Sequence, residues 1–338
     1  GRDLLLAYMV GFEVACSVGD SVSPAYYDDL GWHPTGPLGA LGAAAAACSI
    51  LELDQELTTM AISLAASQAA GLRQNFGTMT KPYHAGASCR AGVTSAKLVK
   101  AGFTASEDAI EGRFGFLRAF SGGSGYDENH IMETLGKQCY LVESGVEVKK
   151  YPCCGSAHLA LDATYRLLER ETINSDQIES IQVSVDFDPP RSLIHARPTE
   201  ALEGKFSMQY CLAAAILDQK VGLDSFTDEL VQRPEAQTLI PKVEMRRIAG
   251  YEGRPSWVEA YNEVEVHLTD GRVLSERADR ITQGALRGVS MEEIQNKFQG
   301  TASRAISAPA SNELMEILDR LENMGELSRM TDLLRGEG

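Results

Sequence analysis

Apolar positions recur every three to four residues through the first part of the chain. The pattern runs through residues 38–53, 57–72 and 87–101, which is the spacing of helices with one buried face. Residues 1–18 carry Leu4, Leu5, Leu6, Tyr8, Met9, Val10, Phe12 and Val14 and read as a further helix already in progress, with no convincing cap ahead of it. Small residues dominate two of these helices: Gly39, Gly42 and the alanines at 43–47 in one, Ala61, Ala65, Ala66, Ala69 and Ala70 in the other. Small side chains let helix axes come close, so a tightly packed multi-helix core is expected. Ser106 and Glu107 open a predicted helix over 109–116, and Ser121-Gly122-Gly123-Ser124-Gly125 reads as a flexible loop.

The period changes near Val146. A helix is predicted over 158–171, followed by alternating β-branched runs at 178–187, 243–248 and 262–268. The last run enters Thr269-Asp270-Gly271-Arg272 and continues over 273–276, a hairpin signal. A helix over 207–217 lies between the strands, and helical spacing returns at 291–298, 312–324 and 327–334. The expected fold is mainly α with an α+β part. Its expected domains are a helical one over 1–146, an α+β lid over 147–284, and C-terminal helices over 285–338 that return to the first.

Composition narrows the function classes. With 44% hydrophobic and 23% charged residues over 338 positions, the chain is ordinary globular material with room for two domains. Its formal net charge of −16 argues against nucleic acid and anionic membrane surfaces as partners, though a local basic pocket still suits an acidic substrate. No uninterrupted apolar run reaches the length of a membrane span, so no transmembrane helix is expected. Seven scattered cysteines suit buried thiols in a reducing compartment, and with no targeting signal in view the cytoplasm is expected.

Four clusters could carry chemistry. Phe76-Gly77-Thr78-Met79-Thr80-Lys81-Pro82-Tyr83-His84-Ala85-Gly86 reads as a polar break between helices. A fixed ammonium ahead of a helix N-terminus favours a carboxylate or phosphate. Lys81 is the stronger candidate for substrate contact; His84 could equally orient a neighbour. His33 sits among Pro34, Gly36 and Pro37, where a histidine can act as a base, a carboxylate ligand or a packing group. Lys149, Lys150, Cys153, Cys154 and His158 form the third cluster. Adjacent cysteines rarely chelate one tetrahedral ion and no second paired motif exists, so no metal is expected. The fourth is Lys205-Phe206-Ser207-Met208-Gln209-Tyr210: Ser207 suits a cap or a carboxylate, and Tyr210 a proton donor or a core residue. Nucleotide-binding fingerprints are lacking, and no cofactor is expected.

Taken together, His33-Pro34-Thr35-Gly36, the Thr78 to Gly86 stretch, Tyr151-Pro152-Cys153-Cys154-Gly155-Ser156-Ala157-His158 and Lys205-Phe206-Ser207-Met208-Gln209-Tyr210 resemble the MmgE/PrpD family in order and spacing. The resemblance implies a homodimer with its active site between a helical domain and an inserted lid, acting on a small di- or tricarboxylate. The activities it implies are dehydration of a 2-methylcitrate-like acid, with an iminodisuccinate-like epimerisation or a cis-aconitate decarboxylation as alternatives. It implies His33, Lys81 and Tyr210 as active-site residues, with the turn carrying Lys149 and Cys154. Joined to the clusters read above, this gives His33, Tyr210 and Cys154 as the expected catalytic residues and Lys81, His84, Lys149, Lys150, Ser207 and His158 as the expected substrate-binding ones. Two departures stand out: the decarboxylase branch carries a histidine where Cys154 aligns, and many members carry an arginine where this chain has Ala87. The resemblance also implies helices ahead of residue 1, so an N-terminally truncated sequence is expected.

Overall fold

A computed structural model of the chain describes residues 1–248, 261–280 and 289–335. The expected boundary at residues 284 and 285 lies outside the described residues. The chain divides into two compact units: Gly1–Gln74 with Lys81–Val146 and Ser290–Gly338, and Asn75–Thr80 with Glu147–Val289.

The first unit is helical. It contains α1 (Arg2–Ser21), the single-turn α2 (Ala25–Asp28), α3 (Pro37–Ile50), α4 (Gln55–Ala66) and α5 (Thr80–Lys100), then the short α6 (Phe116–Phe120), α7 (His130–Thr134) and α8 (Tyr140–Glu143). Helix α3 runs through the middle because its small residues admit a neighbour on two sides. A Cβ on Gly42 would lie 2.5 Å from the Gly11 carbonyl of α1, and one on Gly92 of α5 would lie 2.4 Å from the Ala44 nitrogen. Leu41, Ala44, Val18 and Leu117 fill the core beside them.

Two expectations for this unit need correction. The segment expected as a helix over 109–116 forms turns up to Gly115, with helix only from Phe116, because Gly112 and Gly115 interrupt it and the Phe116 N–H bonds back to the Ala109 carbonyl at 2.8 Å. Helix α4 stops at Ala66 rather than running to 72. The chain then turns so that Leu72 pairs with Trp32 as an isolated bridge. By length and composition α1 is also apolar enough to cross a membrane. Arg2, Asp3, Glu13 and Asp20 punctuate it, so a search for an unbroken apolar run passes it over. Within the unit it buries Ala7, Gly11, Ser17, Val18 and Ser21.

The second unit is α+β. Its helices are α9 (His158–Arg170), α10 (Ala201–Gly204), α11 (Met208–Asp218), α12 (Asp228–Gln232) and α13 (Pro234–Leu239). Its sheet comprises β1 (Ile178–Val185), β2 (Val243–Arg247), β3 (Tyr261–Leu268) and β4 (Val273–Asp279), in the order β2-β1-β3-β4. β1 and β2 are parallel, so their connection must cross over, and α10 to α13 make that crossover. β3 pairs antiparallel with β1 and, through the predicted hairpin, with β4. Alternate residues of β3 are buried, which puts one face of the sheet against α9. Helix α11 packs on α9, and Met208 to Ile216 are buried along its whole circumference.

Three further helices, α14 (Met291–Ala302), α15 (Ala308–Asp319) and α16 (Ser328–Leu334), complete the first unit around Leu314, Ile317 and Leu333. They meet the start of α1 where the Gly1 ammonium donates to the Met324 carbonyl at 2.7 Å.

Candidate active site

Two groups of candidate residues form, one inside each unit. In the first unit His33 is seated by backbone. Its N–H donates to the Gly71 carbonyl at 3.0 Å, and its own carbonyl accepts from Gly36 at 3.0 Å. Gly36 is required by space, since a Cβ there would lie 1.9 Å from the Ala70 carbonyl oxygen; Gly71 has a φ of +148°, and a Cβ there would crowd His84 at 3.3 Å. The stretch read as a polar break is, from Thr80 onward, the first turns of α5. Pro82 is tolerated there because the first turn of a helix has no intrahelical acceptor for its missing N–H. Lys81 and His84 are thus three residues apart on a helix and share a face.

The two histidines meet. His33 Nδ1 and His84 Nδ1 are 2.9 Å apart, with ring centroids at 5.2 Å, and both side chains are buried. One Nδ1 must donate and the other accept. A neutral pair therefore carries one Nε2 lone pair and one Nε2–H, a base and an acid side by side. Burial, the Lys81 ammonium and His84 together push His33 down to about 4. Burial and Lys81 also lower His84. The pair is thus neutral at physiological pH, next to a cation.

In the second unit the Tyr151–His158 turn leads into α9. Lys150 is tied to Asp162 of α9 at 2.8 Å, and the Tyr151 hydroxyl donates to the same oxygen at 2.8 Å. Lys149 Nζ donates to the Cys153 carbonyl at 3.4 Å. Cys153 and Cys154 are buried, and the Cys154 N–H donates to the Lys205 carbonyl at 2.9 Å. The Cys153 thiol donates to the Cys154 carbonyl at 3.8 Å; Cys211 of α11, with His158 and Lys149, holds it below the usual thiol range, while Cys211 itself is raised. His158 is buried, its ring edge against Tyr151 at 5.2 Å. Among the described residues no three His, Cys, Asp or Glu side chains converge as a metal-binding group.

Ser207 caps α11, its hydroxyl accepting the Tyr210 N–H at 3.0 Å. Tyr210 is fully buried, its hydroxyl donates to the Ser225 carbonyl, and burial pushes it up to about 12. In this arrangement Lys150, Ser207 and Tyr210, expected at a substrate, have their polar atoms engaged inside the unit.

Sequence reasoning passed over three residues that the structure makes prominent. Cys211 lies 58 positions from its partner Cys153, as their numbers give, and on an apolar helix its type carries no signal. His195 lies in an irregular stretch and Glu203 on the single-turn α10, where nothing in the sequence distinguishes them.

The comparisons agree with this architecture. A model of the MmgE/PrpD N-terminal domain matches residues 1–129, and one of the MmgE/PrpD C-terminal domain matches residues 151–323. The chain belongs to the MmgE/PrpD family. It is 28% identical over 343 residues to a cis-aconitate decarboxylase of Homo sapiens, covering 99% of this chain and 69% of that protein. A cis-aconitate decarboxylase of Aspergillus terreus is 26% identical over 350 residues, covering 99% of this chain and 71% of that protein. The family and these relatives make it a lyase.

Proposed function

We propose that the protein moves a proton at a carbon next to a carboxylate of a small di- or tricarboxylate. The observation that supports this most is the His33–His84 contact beside Lys81. Such a reaction needs a base able to take the proton, an acid able to return one, and a cation that holds a carboxylate while charge develops on the adjoining carbon. The neutral pair supplies the first two and Lys81 the third. A docked polyanion raises His33 from its depressed value, since negative charge favours imidazolium, and so strengthens it as a base.

Two bond cleavages fit. In dehydration of a 2-methylcitrate-like acid the proton leaves carbon and the hydroxyl departs as water. In decarboxylation of a cis-aconitate-like acid carbon dioxide departs and the same carbon skeleton takes a proton. Cys154, standing where the decarboxylase branch carries histidine, favours the first; the names of the relatives favour the second. Epimerisation needs bases on opposite faces of one carbon, and His33 and His84 touch each other rather than flank a gap.

Proton NMR in D₂O with 2-methylcitrate, citrate, cis-aconitate and iminodisuccinate tests the reading. Loss of water from the first two establishes the dehydratase, and loss of carbon dioxide from cis-aconitate the decarboxylase. Solvent deuterium entering iminodisuccinate without net conversion would move the reading to an epimerase. Four unchanged spectra would sink it.

A further inference from the structure

One histidine holds the turn that leads into Lys81. The segment Asn75–Thr80 belongs to the second unit and runs straight into the first turn of α5. His195 Nε2 lies 2.8 Å from the Phe76 carbonyl oxygen. A carbonyl only accepts, so this nitrogen carries the proton and donates. Behind it Glu203 stands 3.6 Å from Nδ1. Glu203 is itself fixed by the Thr199 N–H at 2.7 Å and the Thr199 hydroxyl at 3.2 Å. The Phe76 ring is buried against Phe206 at 5.1 Å, and the His195 N–H donates to the Phe206 carbonyl at 3.2 Å.

Gly77 completes the fit. Its φ of +89° is open to glycine, and a Cβ there would lie 2.3 Å from His195 Nε2, so the imidazole fills the space a side chain would need. Thr78 then ties the turn to the helix: its hydroxyl donates to the Asn75 carbonyl at 2.8 Å and accepts the Thr80 N–H at 3.2 Å. Lys81 is the next residue. The turn held in this way adjoins the first turn of α5, and displacements near 1 Å at a reacting group matter on the order of a hundredfold in rate.

We propose that His195, backed by Glu203, is a positioning residue for Lys81: its hold on the Phe76 carbonyl fixes where α5 starts and hence where the Lys81 ammonium stands. The inference rests on reading Lys81 as the carboxylate-holding cation, and two of its three tests do not depend on turnover.

His195→Leu keeps bulk and removes the donor, whereas His195→Gln keeps an N–H near the Nε2 position. Hydrogen exchange of the backbone amides over residues 76–84 is expected to speed up roughly tenfold in His195→Leu, the loss of one hydrogen bond, and to stay near wild type in His195→Gln. Unchanged exchange in His195→Leu overturns the proposal. Histidine NMR gives the second test. His33, held near 4 in part by Lys81, is expected to move upward in His195→Leu as it does in Lys81→Ala; a His33 titration unmoved in His195→Leu overturns the proposal.

Turnover of cis-aconitate or 2-methylcitrate gives the third. His195→Leu is expected to raise KM roughly tenfold with kcat within about twofold, and to add nothing in a Lys81→Ala background. A multiplicative effect in that background overturns it. If the wild type turns over none of these acids, or Lys81→Ala behaves as wild type, the functional reading of Lys81 falls, and the exchange and titration results still decide whether His195 sets its position.

Discussion

His33 and Lys81 are expected to divide their labour at the bench. Removing a proton-transfer group lowers kcat, and removing a cation that holds a carboxylate raises KM. His33→Ala is therefore expected to lower kcat by roughly a hundredfold or more, and Lys81→Ala to raise KM with a smaller change in kcat. A His33→Ala enzyme of unchanged kcat would remove the base assignment. Asp162 gives a residue-scale test of a different kind. It is buried and accepts from both Lys150 and Tyr151. Asp162→Ala leaves a half-buried ammonium and a hydroxyl facing each other without their common acceptor, and is expected to cost roughly 1–3 kcal/mol in urea denaturation. A loss well under 1 kcal/mol would mean that solvent replaces the carboxylate easily. At this scale the sequence was informative about residue type and silent about partners. It marked His33 and His84 as chemically able, but no local pattern reports that side chains 51 positions apart touch at 2.9 Å.

At the scale of elements, side-chain size decides how close helices come. Gly11 and Gly42 each occupy the space in which the other's Cβ would sit, 2.6 and 2.5 Å from a facing carbonyl. Gly42→Ala is expected to force α1 and α3 apart and lower the midpoint of thermal unfolding, at a cost of roughly 1–3 kcal/mol; an unchanged midpoint would show that the pair relaxes freely. This close packing was legible, because runs of glycine and alanine at helical spacing have few other uses. The strands were legible too: β1 lies in a β-branched run, β3 alternates in burial, and β4 follows a turn that a hairpin explains. The start of α5 was not. Gly77, Pro82 and Gly86 are punctuation in isolation, and nothing in them foretells that the Thr78 hydroxyl accepts the Thr80 N–H where the helix begins. The error at 109–116 is the converse: helical spacing was present, and Gly112 and Gly115 overrode it.

For the molecule as a whole, the buried histidines make stability depend on pH. An unfolded chain binds protons at both imidazoles near the ordinary value of about 6.5. The folded chain resists until His33 titrates near 4, and His84 is shifted the same way. The unfolded state thus holds more protons across this window, so stability falls as the pH drops through it. His33 alone accounts for roughly 3 kcal/mol between pH 6.5 and 4. Urea midpoints measured at pH 7, 5.5 and 4.5 are expected to decline, and to decline less in a variant with both histidines changed to asparagine. Equal slopes in the two proteins would show that other groups dominate. The two compact units part at Val146, where the period of the apolar pattern also changes.

The contact between the two imidazoles also reaches beyond this chain. Two rings that share a single bridging hydrogen, with an ammonium beside them, have little room for a second positive charge until an anion comes. Ligand capture and proton uptake are then one event: a polycarboxylate draws in a hydrogen ion from solvent as it docks, and its apparent affinity climbs as the medium is acidified from neutrality toward the free pair's own titration. Calorimetry in buffers of different ionisation enthalpy would register this uptake as a heat that tracks the buffer, and a heat independent of buffer would mean that the pair stays neutral when the acid binds.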